Sequence, residues 1–140
     1  YLESGKARDT KGKILLATVK GDIHDIGKNI VKMMLENYGY EVFDLGKDVD
    51  KKDIIDTIIK ENIPLVGLSA LMTTTVKSMK ECILEIKRLG LSCKVMVGGA
   101  VLNQEYANMI GADFYGESAQ DAITIAQNVF KSTNAYEPSI

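Results

Sequence analysis

The sequence predicts an α/β domain: a doubly wound, flavodoxin-like parallel sheet of five strands in the order 2-1-3-4-5, with helices on both faces. Three observations lead there. Apolar, β-rich runs alternate with stretches of helical period five times along 140 residues. The runs Ile14-Leu15-Leu16-Ala17 and Lys94-Val95-Met96-Val97 lack the in-and-out alternation of a half-exposed sheet, as expected for strands covered on both sides. Strict alternation also requires crossovers, which are right-handed and bring helices onto both faces.

Strands are expected over residues 14–19, 41–45, 65–69, 94–97 and 113–115. Between the first two, Ile26, Ile30, Val31, Met34 and Leu35 repeat at helical spacing, and Tyr38-Gly39 closes the helix. Asp50 is expected to cap the second helix, whose apolar face would be Ile54, Ile55, Ile58 and Ile59 and which Pro64 ends. The third helix carries Val76, Met79, Ile83 and Ile86 and stops at Gly90; a short fourth runs from Asn103 to Ile110 before Gly111. Ser118 can cap a fifth with Ala119, Ala122, Ile123, Ala126 and Val129 on its buried side. Residues 1–12 show little periodicity and read as a linker or the end of something preceding, residues 13–131 as the domain, and residues 132–140, with Pro138, as a tail.

Composition narrows the function. A net charge of -2, from 17 basic and 19 acidic residues that are interspersed, leaves no basic footprint for nucleic acid or an anionic membrane. No apolar run reaches the roughly 20 residues of a membrane span, so a soluble cytoplasmic protein is expected. Cys82 and Cys93 lack CxxC spacing and are expected to be buried small hydrophobes.

In this fold ligands bind outside the carboxyl ends of the strands. Four of the five loops there are unusual: Gly21-Asp22-Ile23-His24-Asp25-Ile26-Gly27-Lys28-Asn29, then residues 69–75, then Gly98-Gly99-Ala100, and finally Gly116-Glu117-Ser118-Ala119. The expected strand order sets these four on one rim, whereas Gly46-Lys47-Asp48 reads as an ordinary charged turn. The first loop is not GxGxxG, and its two aspartates would repel a phosphate. A magnesium pocket on Asp22 and Asp25 would want further carboxylates where the other loops are hydroxylic or glycyl. His24 lies between a strand and a helix start, which favours its neutral form, and Asp22 could accept its second ring N–H, the usual way of orienting a metal-ligating histidine. A hydroxyl behind Asp22 would complete a proton relay. A lone histidine in a turn can equally be structural; one ligand is too few for zinc, but a metal that brings its own donors needs only one.

Asp22-Ile23-His24-Asp25-Ile26-Gly27, Ser69-Ala70-Leu71 and Gly98-Gly99, in this order, resemble the DxHxxG, SxL and GG pattern of cobalamin-binding domains. The run from Leu16 to Val31 is similar to the methyl-transferring branch of that family, and the likeness covers about residues 11–130. It implies cobalamin or a related cobamide as cofactor, with His24 as lower axial ligand of cobalt in place of the nucleotide base. Asp22 would bond His24, and Thr75 stands where a serine completes the relay in methionine synthase modules. Ser69 and Thr73 would contact the buried nucleotide tail beside Leu71, Gly98 and Gly99 would leave room for it, and Ser118 with Ala119 would form the last contact. Gly21, Ile23, Asp25 and Gly27 make up the rest of the cofactor loop, Gly27 allowing close backbone approach.

The implied role is a non-catalytic carrier in one-carbon metabolism, moving a methyl group on cobalt (methyl-Co(III)/Co(I)) between a donor methyltransferase and an acceptor methyltransferase that uses tetrahydrofolate or a thiol, with a reductive activator. Residues 112–127 resemble small methanogen or acetogen carrier subunits. A methionine synthase-type module or a cobalamin-dependent sensor domain is the alternative. Carriers of this type have an N-terminal helical cap, of which residues 1–12 would be a remnant.

Overall fold

The computed structural model describes residues 11–133. Five strands, β1 (Lys13–Val19), β2 (Glu41–Val49), β3 (Leu65–Ser69), β4 (Lys94–Gly98) and β5 (Phe114–Tyr115), form one sheet in the order β2-β1-β3-β4-β5, every neighbouring pair parallel. The helices are α1 (Ile26–Asn37), α2 (Lys51–Glu61), α3 (Thr73–Arg88), α4 (Gln104–Met109) and α5 (Ala119–Thr133). None is long and apolar enough to cross a membrane. The expected linker or cap remnant lies outside the described residues except for Lys11 and Gly12; Lys11 N–H donates to Gly39 O at 2.9 Å and Gly12 O accepts from Glu41 N–H at 2.8 Å. The tail from residue 134 is likewise outside them.

Both faces of the sheet are covered, which is why β1 and β4 read as continuous apolar runs. On one face Ile14, Leu16 and Leu65 pack with Leu35 of α1 and Ile123 and Ala126 of α5. On the other Leu15, Val66 and Val95 pack with Ile54 and Ile58 of α2, Met79 and Ile83 of α3 and Ala107 of α4. Cys82 and Cys93 are buried thiols in this second layer, and burial pushes the Cys82 thiol up to about 12.

Several expectations are corrected. Gly46-Lys47-Asp48 is not a turn: β2 runs on to Val49 through two irregularities, since Leu16 pairs with Asp44, Ala17 with Gly46 and Val19 with Val49. Each step adds a residue to β2, the geometry of a β-bulge. The inner face of α1 is Lys28, Val31 and Leu35 rather than the isoleucines; Ile26 is 77% and Ile30 45% exposed. Ile59 of α2 also points outward, and Asp50 makes no capping bond, pairing instead with Lys20 at 3.3 Å. The third helix begins at Thr73, so Thr73 to Thr75 belong to its first turn. Asn103 and Ser118 do cap: Tyr106 N–H donates to Asn103 Oδ1 at 2.7 Å, and Asp121 N–H to Ser118 Oγ at 3.3 Å.

Candidate functional site

The loop between β1 and α1 holds Asp22 fully buried, while the His24 side chain remains 46% exposed. A buried carboxylate survives only if its oxygens are occupied, and here four donors converge on it. Asp22 Oδ1 accepts from His24 N–H at 3.0 Å and lies 2.7 Å from His24 Nδ1. Oδ2 accepts from Leu71 N–H at 2.7 Å and from the Thr75 hydroxyl at 2.7 Å. Burial by itself would raise the carboxyl pKa, but the bonds from Leu71, Thr75 and His24 overcome it and hold the group far below the ordinary carboxylate range.

Asp22 is therefore ionised at neutral pH and can only accept. The hydrogen in the 2.7 Å contact belongs to His24 Nδ1, so Nε2 is the ring nitrogen left to meet a ligand. Among the described residues nothing hydrogen-bonds Nε2, and no group of three or more His, Cys, Asp or Glu could hold a bare metal ion. A single imidazole therefore suits a metal that arrives with its other donors. The exposed neighbours agree: Ile23 is 63%, Ile26 77% and Leu71 40% exposed, an apolar surround for a macrocycle.

The other residues singled out by sequence fall into three groups. Leu71 and Thr75 join the Asp22 network directly, β3 and α3 bringing them to β1. Ser69 and Gly98 stand in one row with Thr18 across β1, β3 and β4. Ser69 Oγ is 3.0 Å from Thr18 Oγ1, and Thr18, a fully buried hydroxyl that sequence reasoning missed, was marked by being polar near the end of an apolar strand. Gly99 adjoins this row with φ +138°, and a Cβ there would lie 1.8 Å from Ala70 O; the space is filled by the neighbouring main chain. At Gly98 an added Cβ would meet Gly116 O at 3.2 Å.

The third group is not tied to His24 by any hydrogen bond: Thr73 opens α3 on the surface, and Ser118 and Ala119 start α5. Ser118 is held in a reciprocal cap, since Asp121 Oδ2 accepts from Glu117 N–H at 2.9 Å and from Ser118 N–H at 3.3 Å. Asp25 precedes α1 and accepts Asn29 N–H through its carbonyl at 2.9 Å. Gly27 faces open space: a Cβ there meets nothing within 4 Å. Gly21, at φ +91°, lies under Thr75, whose methyl carbon would be 3.3 Å from an added Cβ.

Comparison with known proteins gives the family. Residues 12–124 match the B12 binding domain family. Dimethylamine corrinoid protein 3 of Methanosarcina mazei is 44% identical over 130 residues, covering 91% of this chain and 78% of that protein. The 1.5 Å crystal structure of a novel cobalamin-binding protein from Desulfitobacterium hafniense superposes with a TM-score of 0.82 at 44% identity, over 84% of this chain and 58% of that one. In the methanol:cobalamin methyltransferase complex MtaBC from Methanosarcina barkeri the corresponding figures are 0.84 and 37%, over 86% and 47%. The chain spans about three fifths of the length of several other dimethylamine corrinoid proteins it matches. On the family match and these identities, the chain belongs to the B12-binding domain family and, within it, to the corrinoid proteins.

Proposed function

We propose that this chain is the cobamide-holding domain of a methyl carrier, with His24 Nε2 as the protein's ligand to cobalt. The observation that carries the reading is the half-exposed imidazole whose Nδ1–H is committed to a buried carboxylate, with Nε2 left free of any hydrogen bond among the described residues. When bound, cobalt supplies a nucleophile able to accept a methyl group and to yield it again. The chain's own residues hold and orient. Asp22 fixes the His24 tautomer, Leu71 N–H and Thr75 fix Asp22, and Ser69, Gly98 and Gly99 shape the row of strand ends beside them, with Thr73, Ser118 and Ala119 at its margin.

Thr75 adds a hydroxyl whose hydrogen has two acceptors in reach. Its Oγ1 lies 2.7 Å from Asp22 Oδ2 and 2.9 Å from Met72 O, and one hydroxyl hydrogen serves one of them at a time. Turning that hydrogen to Met72 O withdraws one donor from Oδ2 and turning it back restores it, so Thr75 would adjust how firmly Asp22 holds the His24 Nδ1 hydrogen.

The proposed partners are a donor methyltransferase, an acceptor methyltransferase using tetrahydrofolate or a thiol, and a reductive activator, all in the cytoplasm; the likeness to a chain of the methanol:cobalamin methyltransferase complex supports a methyltransferase partner. The test is reconstitution with methylcobalamin. The wild type retains the corrinoid with a base-off, histidine-ligated visible spectrum, and His24→Ala shifts the bands to an unligated form. A wild type that retains no corrinoid, or a His24→Ala spectrum identical to it, overturns the reading.

A further inference from the structure

The outer half of β2 reaches the ligand loop at both of its ends. At the entry, Gly21 N–H donates to Asp48 Oδ1 at 2.8 Å and Asp48 N–H donates to Asp22 O at 2.9 Å, so one residue grips both ends of the Gly21–Asp22 unit. Asp48 does so from a left-handed conformation, φ +55°, which an L-residue adopts at a cost. Lys20 Nζ stands beside it, 3.8 Å from Asp48 and 3.3 Å from Asp50. At the exit, the Lys28 ammonium, its side chain 2% exposed, donates to Asp44 Oδ1 at 2.6 Å and to Asn29 Oδ1 at 2.8 Å. A cation in the first turn of a helix opposes the helix dipole, so Asp44 is what allows Lys28 to sit there. The same Asp44 oxygen accepts Gly46 N–H at 2.9 Å, closing the first bulge.

These bonds complete no ladder of the sheet; they tie β2 to residues 21, 22 and 28. The Asp22 carboxylate is pinned from β3 and α3 by Leu71 and Thr75, and its main chain is pinned from β2 by Asp48. We infer that Asp44 and Asp48 form a bracket that sets the pose of the ligand loop, with Asp48 a positioning residue for His24 that acts through the Gly21–Asp22 backbone. This rests on the reading of His24 as the cobalt ligand. Without the Asp48 carboxylate, Gly21 N–H turns to water and Gly21 regains its wide conformational range. Asp22 keeps its main-chain bonds from Asp48 N–H and to Val19 O, but the Gly21 that leads into it is no longer anchored, and the imidazole two residues on spreads over several poses.

The experiment compares wild type, Asp48→Ala and Asp48→Asn, whose amide keeps an acceptor oxygen and tolerates the left-handed backbone. In the corrinoid-free protein, nitrogen-15 NMR of the His24 ring reads the share of the Nδ1–H tautomer. In protein loaded with methylcobalamin, the visible spectrum reads the ratio of histidine-ligated to unligated cofactor at equal corrinoid content. Asp48→Ala is expected to mix the tautomers and lower that ratio about three- to fivefold, the consequence of one lost hydrogen bond; Asp48→Asn restores both to within about twofold. A merely structural role lowers the melting temperature and moves neither readout. Asp48→Ala matching wild type in both, or Asp48→Asn as impaired as Asp48→Ala, overturns the inference. Should Asp48→Ala fail to fold, Asp48→Gly, at ease in the left-handed turn, replaces it with the same expectation. If wild type takes up no corrinoid, the carrier reading fails, and the tautomer measurement still judges the bracket.

Discussion

Replacing Thr75 by valine removes one donor from the buried Asp22 carboxylate and changes little else in shape. Asp22 keeps three bonds, from His24 N–H at 3.0 Å, His24 Nδ1–H at 2.7 Å and Leu71 N–H at 2.7 Å, so the charge is not orphaned. Met72 O is not orphaned either, because Thr75 N–H already donates to it at 3.0 Å. The loss is therefore that of one hydrogen bond to a charged group, about 2 kcal/mol, rather than the larger penalty of an unpaired buried charge. For a domain of this size that lowers the melting temperature by roughly 6–10 °C. Urea denaturation of the corrinoid-free protein near neutral pH measures it, with Thr75→Ser, which keeps the hydroxyl, losing less than half as much. A Thr75→Val protein within about 0.5 kcal/mol of wild type, or a Thr75→Ser protein equally destabilised, would show that the hydroxyl does not support Asp22.

Three further outcomes follow from the same coordinates. Asp22→Asn turns an amide N–H toward donors and should destabilise the domain by about 3 kcal/mol near neutrality. Because the folded carboxyl lies below its unfolded value, Asp22's contribution is complete above roughly pH 4 and drains as pH falls toward the folded value; the gap between wild type and Asp22→Asn, which does not titrate, should narrow in acid when followed by denaturation at a series of pH values. Gly99→Ala, with its Cβ 1.8 Å from Ala70 O at φ +138°, should prevent folding or cost more than about 3 kcal/mol, as expression and thermal melting will show. Gly67→Ala in β3 meets instead the movable ends of Leu16 and Met96, at 2.6 and 3.0 Å, and should cost only about 1–2 kcal/mol by the same melts.

What could be read from sequence was what is local or periodic. Asp22 and His24 are two residues apart in one turn, so their bond is almost a property of the loop, and alternation of apolar runs with helical stretches implies a parallel sheet with helices on both faces. What escaped depends on contacts between distant segments. Gly46 beside Lys47 and Asp48 looks like a strand end because a bulge leaves no mark in an apolar pattern, yet the register with β1 carries β2 on to Val49. Helical spacing identifies α1 without saying which of its faces turns inward, and the face that does carries Lys28, Val31 and Leu35 while Ile26 and Ile30 point out. Lys28 reads as solvated until Asp44 is seen beneath it. Nor does the sequence say that the carbonyl of Ala70 lies where a side chain at position 99 would go.

The irregular register of β2 has a second consequence, for how the protein behaves at high concentration. In the order β2-β1-β3-β4-β5 the strands unpaired on one side among the described residues are β2 and β5, and such a side is a template on which another chain can add a strand. β5, two residues long, offers almost nothing to pair with. β2 is nine residues long and would be the exposed flank on length alone, but its two register slips interrupt the even spacing of main-chain groups that an incoming strand needs, and Lys47 and Asp48 set charges at the interruption. The bends that let this strand reach the ligand loop thus also guard the sheet against self-association. Removing the first of them by deleting Leu45 would be expected to leave a chain that aggregates before it fails to fold.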